Sequence, residues 1–303
     1  MTPAHLPLEL PLFGWATHTT MQLPQLRGQF AALERAQDRF NQGRNGFLSQ
    51  APARRRQRWY RWLFGERIPF EIQATFWSLH PLYEWSRRFE YPLVAELMSR
   101  VAPTSVLDAG AGVGFLPFFL ASELSVDVSC LDVDPAFPNH MQRCFESLQM
   151  RSPDYYVRDL TQPLNLSGRT FDAVVCISVL EHLPSEKRLK SIEHLWEVLR
   201  PGGILLLTFD VALTGETEGF ELRELPGLLS HLTRILGRMP ELPAELPPDL
   251  LTPQRPGYRF APARIGTRLL RRGPLTAYFD WRRLPLPRFK PLACLFCAAR
   301  KPK

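Results

Sequence analysis

Residues Val106 to Gly114 read VLDAGAGVG, an apolar run that ends in an acidic residue and continues into glycines at alternate positions. Such a run predicts a buried strand passing through a tight loop into a helix that begins near Phe115. At Gly110, Gly112 and Gly114 the missing Cβ lets the backbone turn sharply and lets a ligand lie almost against the main chain. The stretch therefore reads as a loop for a nucleoside cofactor. A dinucleotide loop requires GxGxxG, whereas here the third glycine falls one residue early and Phe115 stands in its place. A triphosphate loop requires a GK[ST] ending, and none follows. What remains is DxGxGxG, with Asp108 closing the strand.

This pattern resembles the first motif of the class I S-adenosylmethionine-dependent methyltransferases, and the resemblance continues in order along Val101 to Phe209. Val126 to Val133, VDVSCLDV, reads as a second strand, and Asp132 lies 24 residues beyond Asp108. A carboxylate there accepts hydrogen bonds from both ribose hydroxyls. Asp134, further into the turn before Pro135, is the less suited of the two. The resemblance places Val133 beside the cofactor as well. DYYVRD, 154–159, reads as a third strand, and the resemblance brings Asp159 and the backbone of Leu160 to the adenine amino group. FDAVVCISVLEHLP, 171–184, resembles the segment that lines the methionine part of the cofactor, which includes Ser178. In LRPGGILLLTF, 199–209, Pro201, Gly202 and Gly203 are expected to stop a helix and turn the chain into a fifth strand.

Between these positions the spacing is helical. Met141, Cys144, Phe145 and Leu148 recur at three and four residues, as do Leu189, Ile192, Leu195, Trp196 and Leu199 behind Ser185 as N-cap. Alternating strands and helices predict an α/β fold, a doubly wound and mostly parallel Rossmann-like sheet with helices on both faces. The competing reading is of turn glycines and surface carboxylates on some other doubly wound fold. It has to account for five matches in the right order.

Composition bounds the rest. The 303 residues suffice for one large domain or two small ones with a sizeable core. Five cysteines, an odd number without framework spacing, point to a reducing compartment. Cys294 and Cys297 form a single CxxC with no second pair to complete a zinc site, so they read as buried thiols, and no metal is expected. No apolar stretch is long enough for a membrane span and no signal peptide is visible, which points to a soluble cytoplasmic protein. The net charge of +7 owes much to Arg54, Arg55, Arg56, Arg58 and Arg61. Interleaved with Trp59, Tyr60 and Trp62, these arginines have two readings, a nucleic-acid patch or, favoured, a helix with solvated arginines and inward aromatics.

Outside the motif-bearing core, residues 1–28 are proline-rich and poor in charge, and an extended, partly ordered lead is expected. Residues 29–100 read as a helical cap, with helical spacing from Gln29 to Phe40 and from Ile68 to Ser99. Trp77, Leu82, Trp85, Phe89 and Leu93 are its inward candidates. Within it, EYP at Glu90 to Pro92 resembles the segment before the first strand of some small-molecule methyltransferases, which would bring Tyr91 to the carboxylate end of the cofactor. The Rossmann-like domain is expected to fill 101–303, with a proline-rich insertion at about 215–285 acting as lid or linker. Leu225 to Leu236 has helical spacing, and Leu292 to Ala299 reads as a last strand with Tyr278 to Trp281 as a neighbour.

The resemblance implies S-adenosylmethionine as cofactor and in-line attack on its sulfonium methyl. His182 is the candidate base, because it follows the fourth strand and titrates near neutrality. Glu181 reads as an orienting or capping carboxylate at a helix N-terminus. The Asn/Asp-Pro-Pro-aromatic sequence of many nitrogen-modifying relatives is replaced by CISVLEH, which favours a small-molecule acceptor such as a metabolite, sugar, polyketide or lipid. The alternatives are an RNA methyltransferase using the arginine patch and a non-catalytic cofactor-binding partner subunit.

Overall fold

A computed structural model describes residues 12–49, 82, 86–213, 220–237, 245–252 and 292–303. The strands are β1 (Leu12–Trp15), β2 (Ser105–Ala109), β3 (Asp127–Asp132), β4 (Asp154–Val157), β5 (Phe171–Ile177), β6 (Leu199–Ala212), β7 (Phe220–Glu221) and β8 (Leu292–Arg300). The helices are α1 (His18–Met21), α2 (Pro24–Ser49), α3 (Arg87–Val101), α4 (Leu116–Glu123), α5 (Phe137–Ser147), α6 (Ser185–Glu197) and α7 (Leu225–Leu236), with short 3-10 turns at Leu180–His182 and Leu222–Glu224.

These strands form one sheet in the order β1-β8-β6-β5-β2-β3-β4, with β7 on β6. Strands β2 to β6 run parallel, as strand–helix–strand crossovers require, while β8 is antiparallel to both β6 and β1. Side chains alternate across the sheet. Val106, Ala173, Val175 and Leu206 join a core under α2, α3, α4 and α5. Leu107, Val174, Cys176, Leu205 and Leu207 join a second core under α6 and α7. Strands buried on both faces must be apolar throughout, which is why they read as continuous hydrophobic runs. The chain proceeds from β2 outward through β3 to β4, then returns across β2 to β5 and β6. That reversal opens a crevice beyond the carboxyl ends of β2 and β5.

Four local expectations are corrected. Leu12–Trp15 is not an extended lead but the edge strand of the sheet, with Leu12 and Trp15 buried and the Ala16 amide bonded to the Cys294 carbonyl at 2.8 Å. The helix expected from Gln29 is α2, which begins already at Pro24, a residue suited to a first turn because it has no amide to leave unpaired. Ser185 is the first residue of α6 and not its cap; Pro184, in extended conformation, holds that place and its carbonyl receives the Arg188 amide. Pro201, Gly202 and Gly203 do not stop a helix, since α6 has ended at Glu197 and Leu199 already pairs with Phe171. They form a bulge inside β6 before Ile204 pairs with Ala173.

All five cysteines are buried free thiols. Cys294 and Cys297, an odd number of positions apart on β8, lie in the two different cores. Among the described residues no helix is long and apolar enough to cross a membrane. The arginine cluster at 54–62, Trp77, Trp85 and Tyr278 to Trp281 lie outside the described residues, as do 239–244 and 253–256 of the proline-rich stretch.

Candidate active site

The glycine loop is tied to the end of β3. The amides of Gly110 and Ala111 both donate to the Leu131 carbonyl, at 2.7 and 3.1 Å. Gly110 has a φ of +76°, and a Cβ there would lie 2.4 Å from Val179 Cγ2, so both conformation and space restrict this position to glycine. Gly112 has a φ of +52°, but a Cβ on it would meet nothing within 4 Å. The outer face of the loop is thus open where a ligand would have to approach. Gly114 faces the Tyr91 hydroxyl, which would stand 3.2 Å from an added Cβ.

Asp132 is held in place by the protein itself. Its Oδ2 accepts the Gly112 amide at 2.9 Å and its Oδ1 accepts the Asp134 amide at 3.0 Å. Each oxygen retains a second lone pair for a hydroxyl donor. Asp134 is engaged elsewhere, its Oδ1 accepting the Ala136 amide at 2.8 Å. Val133 is the most exposed large apolar side chain described, at 67%. Asp159 is exposed and accepts the Thr161 amide at 2.8 Å, while Leu160 is buried and its carbonyl meets His194 Nδ1 at 2.9 Å. Asp108 is buried beneath the loop; burial, and then the nearby charge of Asp132, push its carboxyl up to about 7, with Arg87 partly opposing.

The other end of the crevice is built by the first turn of α3. Arg87 ion-pairs with Glu90, whose Oε1 also accepts the hydroxyls of Ser178 at 2.6 Å and Thr208 at 2.5 Å. Fully buried, Glu90 therefore joins α3 to the ends of β5 and β6. Ser178 sits at a φ of +47°, and its amide donates to Thr208 Oγ1 at 3.1 Å. Tyr91 lies beneath the Arg87 guanidinium, 5.9 Å from its ring centroid, and meets Phe115 edge-on at 5.5 Å. Burial above all pushes its hydroxyl up to about 12, so it remains a donor at neutral pH.

The turn Leu180–His182 is fastened from below by Arg188. This buried guanidinium donates Nε to the Leu180 carbonyl at 3.0 Å, Nη2 to the Leu183 carbonyl at 2.9 Å and Nη1 to Glu224 at 2.9 Å. It also lies 4.4 Å from the centroid of the Phe220 ring. His182 is exposed on the turn; desolvation first, then the charge of Arg87, lower its pKa, which favours the neutral ring at pH 7 and leaves it able to take a proton. Glu181 does not cap a helix as expected. It is buried, among the described residues neither carboxylate oxygen has a hydrogen-bond partner beyond its own backbone, and α6 has no side-chain cap bond.

Residues 106–203, from β2 to the bulge of β6, match the family model described as a methyltransferase domain. Residues 106–203 thus carry a methyltransferase domain, with S-adenosylmethionine as its cofactor. The match covers the glycine loop, Asp132, Asp159 and the β5–α6 turn. Similar curated proteins include a tRNA N(3)-methylcytidine methyltransferase of Schizosaccharomyces pombe, 30% identical over 34% of this chain and 43% of the relative. A carboxy-S-adenosyl-L-methionine synthase of Chromohalobacter salexigens is 30% identical over 42% of this chain and 47% of its own length. A mitochondrial ubiquinone biosynthesis O-methyltransferase of Rattus norvegicus is 31% identical over 34% of this chain and 30% of its own. The chain thus spans less than half the length of the curated relatives it matches.

The residues of the methyltransferase domain fit the cofactor. The open face at Gly112, the oriented Asp132 carboxylate and the exposed apolar Val133 lie side by side where a nucleoside would be held. Sequence reasoning missed Arg87, Thr208 and Arg188, gave Glu90 no role, and passed over Asp210 on β6, whose charge acts on Arg87 and Glu181. One signal was present, an arginine three residues before a glutamate at the head of a helix. Thr208, Asp210 and Arg188 carry no such local mark.

Proposed function

We propose that this protein transfers the methyl group of S-adenosylmethionine to a small-molecule acceptor held against the β5–α6 turn. The observation that carries the reading is the crevice itself. An open glycine face and an oriented carboxylate lie at one end, and a buried polar cluster around Glu90 lies at the other. Bound there, the cofactor supplies a methyl on a sulfonium, already activated toward a nucleophile. The tasks left to the chain are to bind, to align and to keep water out. Alignment contributes several kcal/mol, up to about 7 to 11 in favourable models.

Asp132 holds the ribose end, with Val133 and Asp159 at the base. Tyr91 and Arg87 serve the amino-acid end, where a protonated phenol and a guanidinium are donors for a carboxylate. Neutral His182 accepts a proton from the acceptor when the attacking atom carries one. A small acceptor is favoured over RNA by the charges at this end, where Glu90, Glu181 and Asp210 surround Arg87. With its cation already paired to Glu90, that end offers no basic surface of the kind a polyanion binds. The similarity to a tRNA methyltransferase makes RNA the reading to test against.

Calorimetric titration with S-adenosylmethionine and S-adenosylhomocysteine, with NAD and ATP as controls, tests the cofactor. Binding of the first two alone is expected. Radiolabelled methyl transfer to a low-molecular-mass metabolite extract and to total tRNA then separates the acceptors; label in tRNA alone would overturn the small-molecule reading.

A further inference from the structure

Glu181 has an environment that the proposed chemistry does not use. It is 3% exposed, and among the described residues neither carboxylate oxygen has a hydrogen-bond partner beyond its own backbone, which favours the ionised form only in part. Buried polar atoms are paired in the great majority of native structures, and an unpaired carboxylate is the costliest exception. The groups around it do not relieve that cost. Asp210 on β6 and Glu90 on α3 are themselves acidic and act on it unfavourably, and Cys176 on β5 adds a buried thiol. Arg87 is the cation that reaches it, but that guanidinium is ion-paired with Glu90. The adjacent His182 is neutral at pH 7. Burial first, and then Asp210 and Glu90, raise the Glu181 carboxyl well above its ordinary range.

The turn that carries Glu181 is not free to swing the group into water. Arg188 pins the carbonyls on both sides of it. The carboxyl is thus fixed, buried and unsatisfied in the turn that follows β5, next to the strand end where the methyl-transfer reading puts the reacting end of the cofactor. The partner it lacks is a donor with positive charge, and a primary ammonium offers three N–H groups and one charge. Among the described residues no three His, Cys, Asp or Glu side chains converge as a metal site would require, so an organic cation suits the geometry better than a metal ion.

We infer that Glu181 is a specificity-determining residue that binds a protonated amine of the acceptor, so that the substrates of this protein are amine-bearing small molecules. The inference rests on the methyl-transfer reading above and names the substrate class for the same site. The positive charge of the amine favours the ionised form of Glu181, so amine binding releases the carboxyl proton to solvent.

The test uses the full chain saturated with S-adenosylhomocysteine, whose binding is measured first by calorimetry. Its failure to bind would strike at the methyltransferase reading before the acceptor question is reached. On the saturated protein, n-butylamine, benzylamine, tyramine and cadaverine are compared with n-butanol, benzyl alcohol, 4-hydroxyphenethyl alcohol and 1,5-pentanediol. The readouts are thermal shift, ligand-detected NMR and calorimetry in buffers of different ionisation enthalpy. At least one amine is expected to bind tenfold or more tightly than its alcohol, with proton release seen as a dependence of the apparent enthalpy on buffer. Glu181→Gln is expected to remove that preference while S-adenosylhomocysteine affinity stays within about twofold. Three results would overturn the inference: no amine binding, equal binding of amine and alcohol, or an amine preference that survives Glu181→Gln. Saturable magnesium binding that Glu181→Gln abolishes, without any amine preference, would assign the carboxylate to a metal and also overturn it. The wild-type comparison stands even if the variant does not fold.

Discussion

Asp132 shows how much of the site depends on single side chains. Its carboxylate takes one amide from the glycine loop and one from its own turn, so it is oriented before a ribose arrives. Asp132→Ala removes both the proposed ribose acceptor and the partner of the Gly112 amide. At about 1.5 to 3 kcal/mol for hydrogen bonds to a charged group, S-adenosylhomocysteine should bind about 10- to 150-fold more weakly, read by calorimetry on a protein whose circular dichroism is unchanged. Asp108 is expected to make cofactor binding depend on pH. Its carboxyl is pushed to about 7, against an ordinary 3.8, chiefly by burial, so the folded chain keeps a proton that the unfolded chain loses. The sign follows: this group destabilises the fold progressively as pH rises from about 4 to about 7, with no further change above. A cofactor bearing a sulfonium and an ammonium favours the ionised form, so its affinity should rise from pH 6 to 8 and then level off. Asp108→Asn should flatten that profile, and an unchanged profile would remove Asp108 from the site. At this scale the sequence displayed the residues that sit beside glycines at strand ends. It did not display the role of Glu90, because what marks that glutamate is burial against Ser178 and Thr208, both remote in sequence.

Among the elements, the turn between β5 and α6 is the one on which the proposed chemistry depends, and it is too short to hold its own shape. Leu180–His182 is a single 3-10 turn, and Arg188 supplies from α6 the donors for the carbonyls at either end. Arg188→Ala would leave those carbonyls and Glu224 without their buried partner, a loss of about 3 to 5 kcal/mol by analogy with broken buried pairs. Urea unfolding should show it as a lower midpoint. Arg188→Lys keeps the charge but cannot span two carbonyls and a carboxylate at once, so it should recover part of the stability while kcat stays low. Full recovery of kcat by lysine would mean that the charge alone matters. Strands β2, β3 and β5 were legible as apolar runs, the first two closed by an aspartate or glycine at or just after their ends. The bulge at Pro201 to Gly203 was read instead as a helix stop, since the same residues serve both purposes and only the pairing of Phe171 with Leu199 decides between them.

For the whole molecule, the sheet is completed by segments from the two ends of the described chain. β8 is inserted antiparallel beside β6, and β1 then covers its outer edge. The first of these was legible as an apolar run at Leu292 to Ala299. The second was not, because LFGW is too short to show a period and becomes a strand only through its distant partner. Without β1, the backbone of β8 would present an unpaired edge flanked by apolar side chains, the arrangement from which strand-to-strand association starts. Removal of residues 1–16 also withdraws Leu12 and Trp15, both buried, from the core. At about 1.5 to 3 kcal/mol for each large apolar side chain, the loss is about 3 to 6 kcal/mol before any edge effect. The truncated protein should therefore melt well below the full chain and form dimers or larger species by light scattering, while Trp15→Ala alone should lower the melting temperature without association. A truncated protein that stays monomeric with an unchanged melting temperature would show that the sheet closes at β8 and that β1 is an ornament of the fold. Association without the tryptophan's share of destabilisation would assign β1 to edge protection alone.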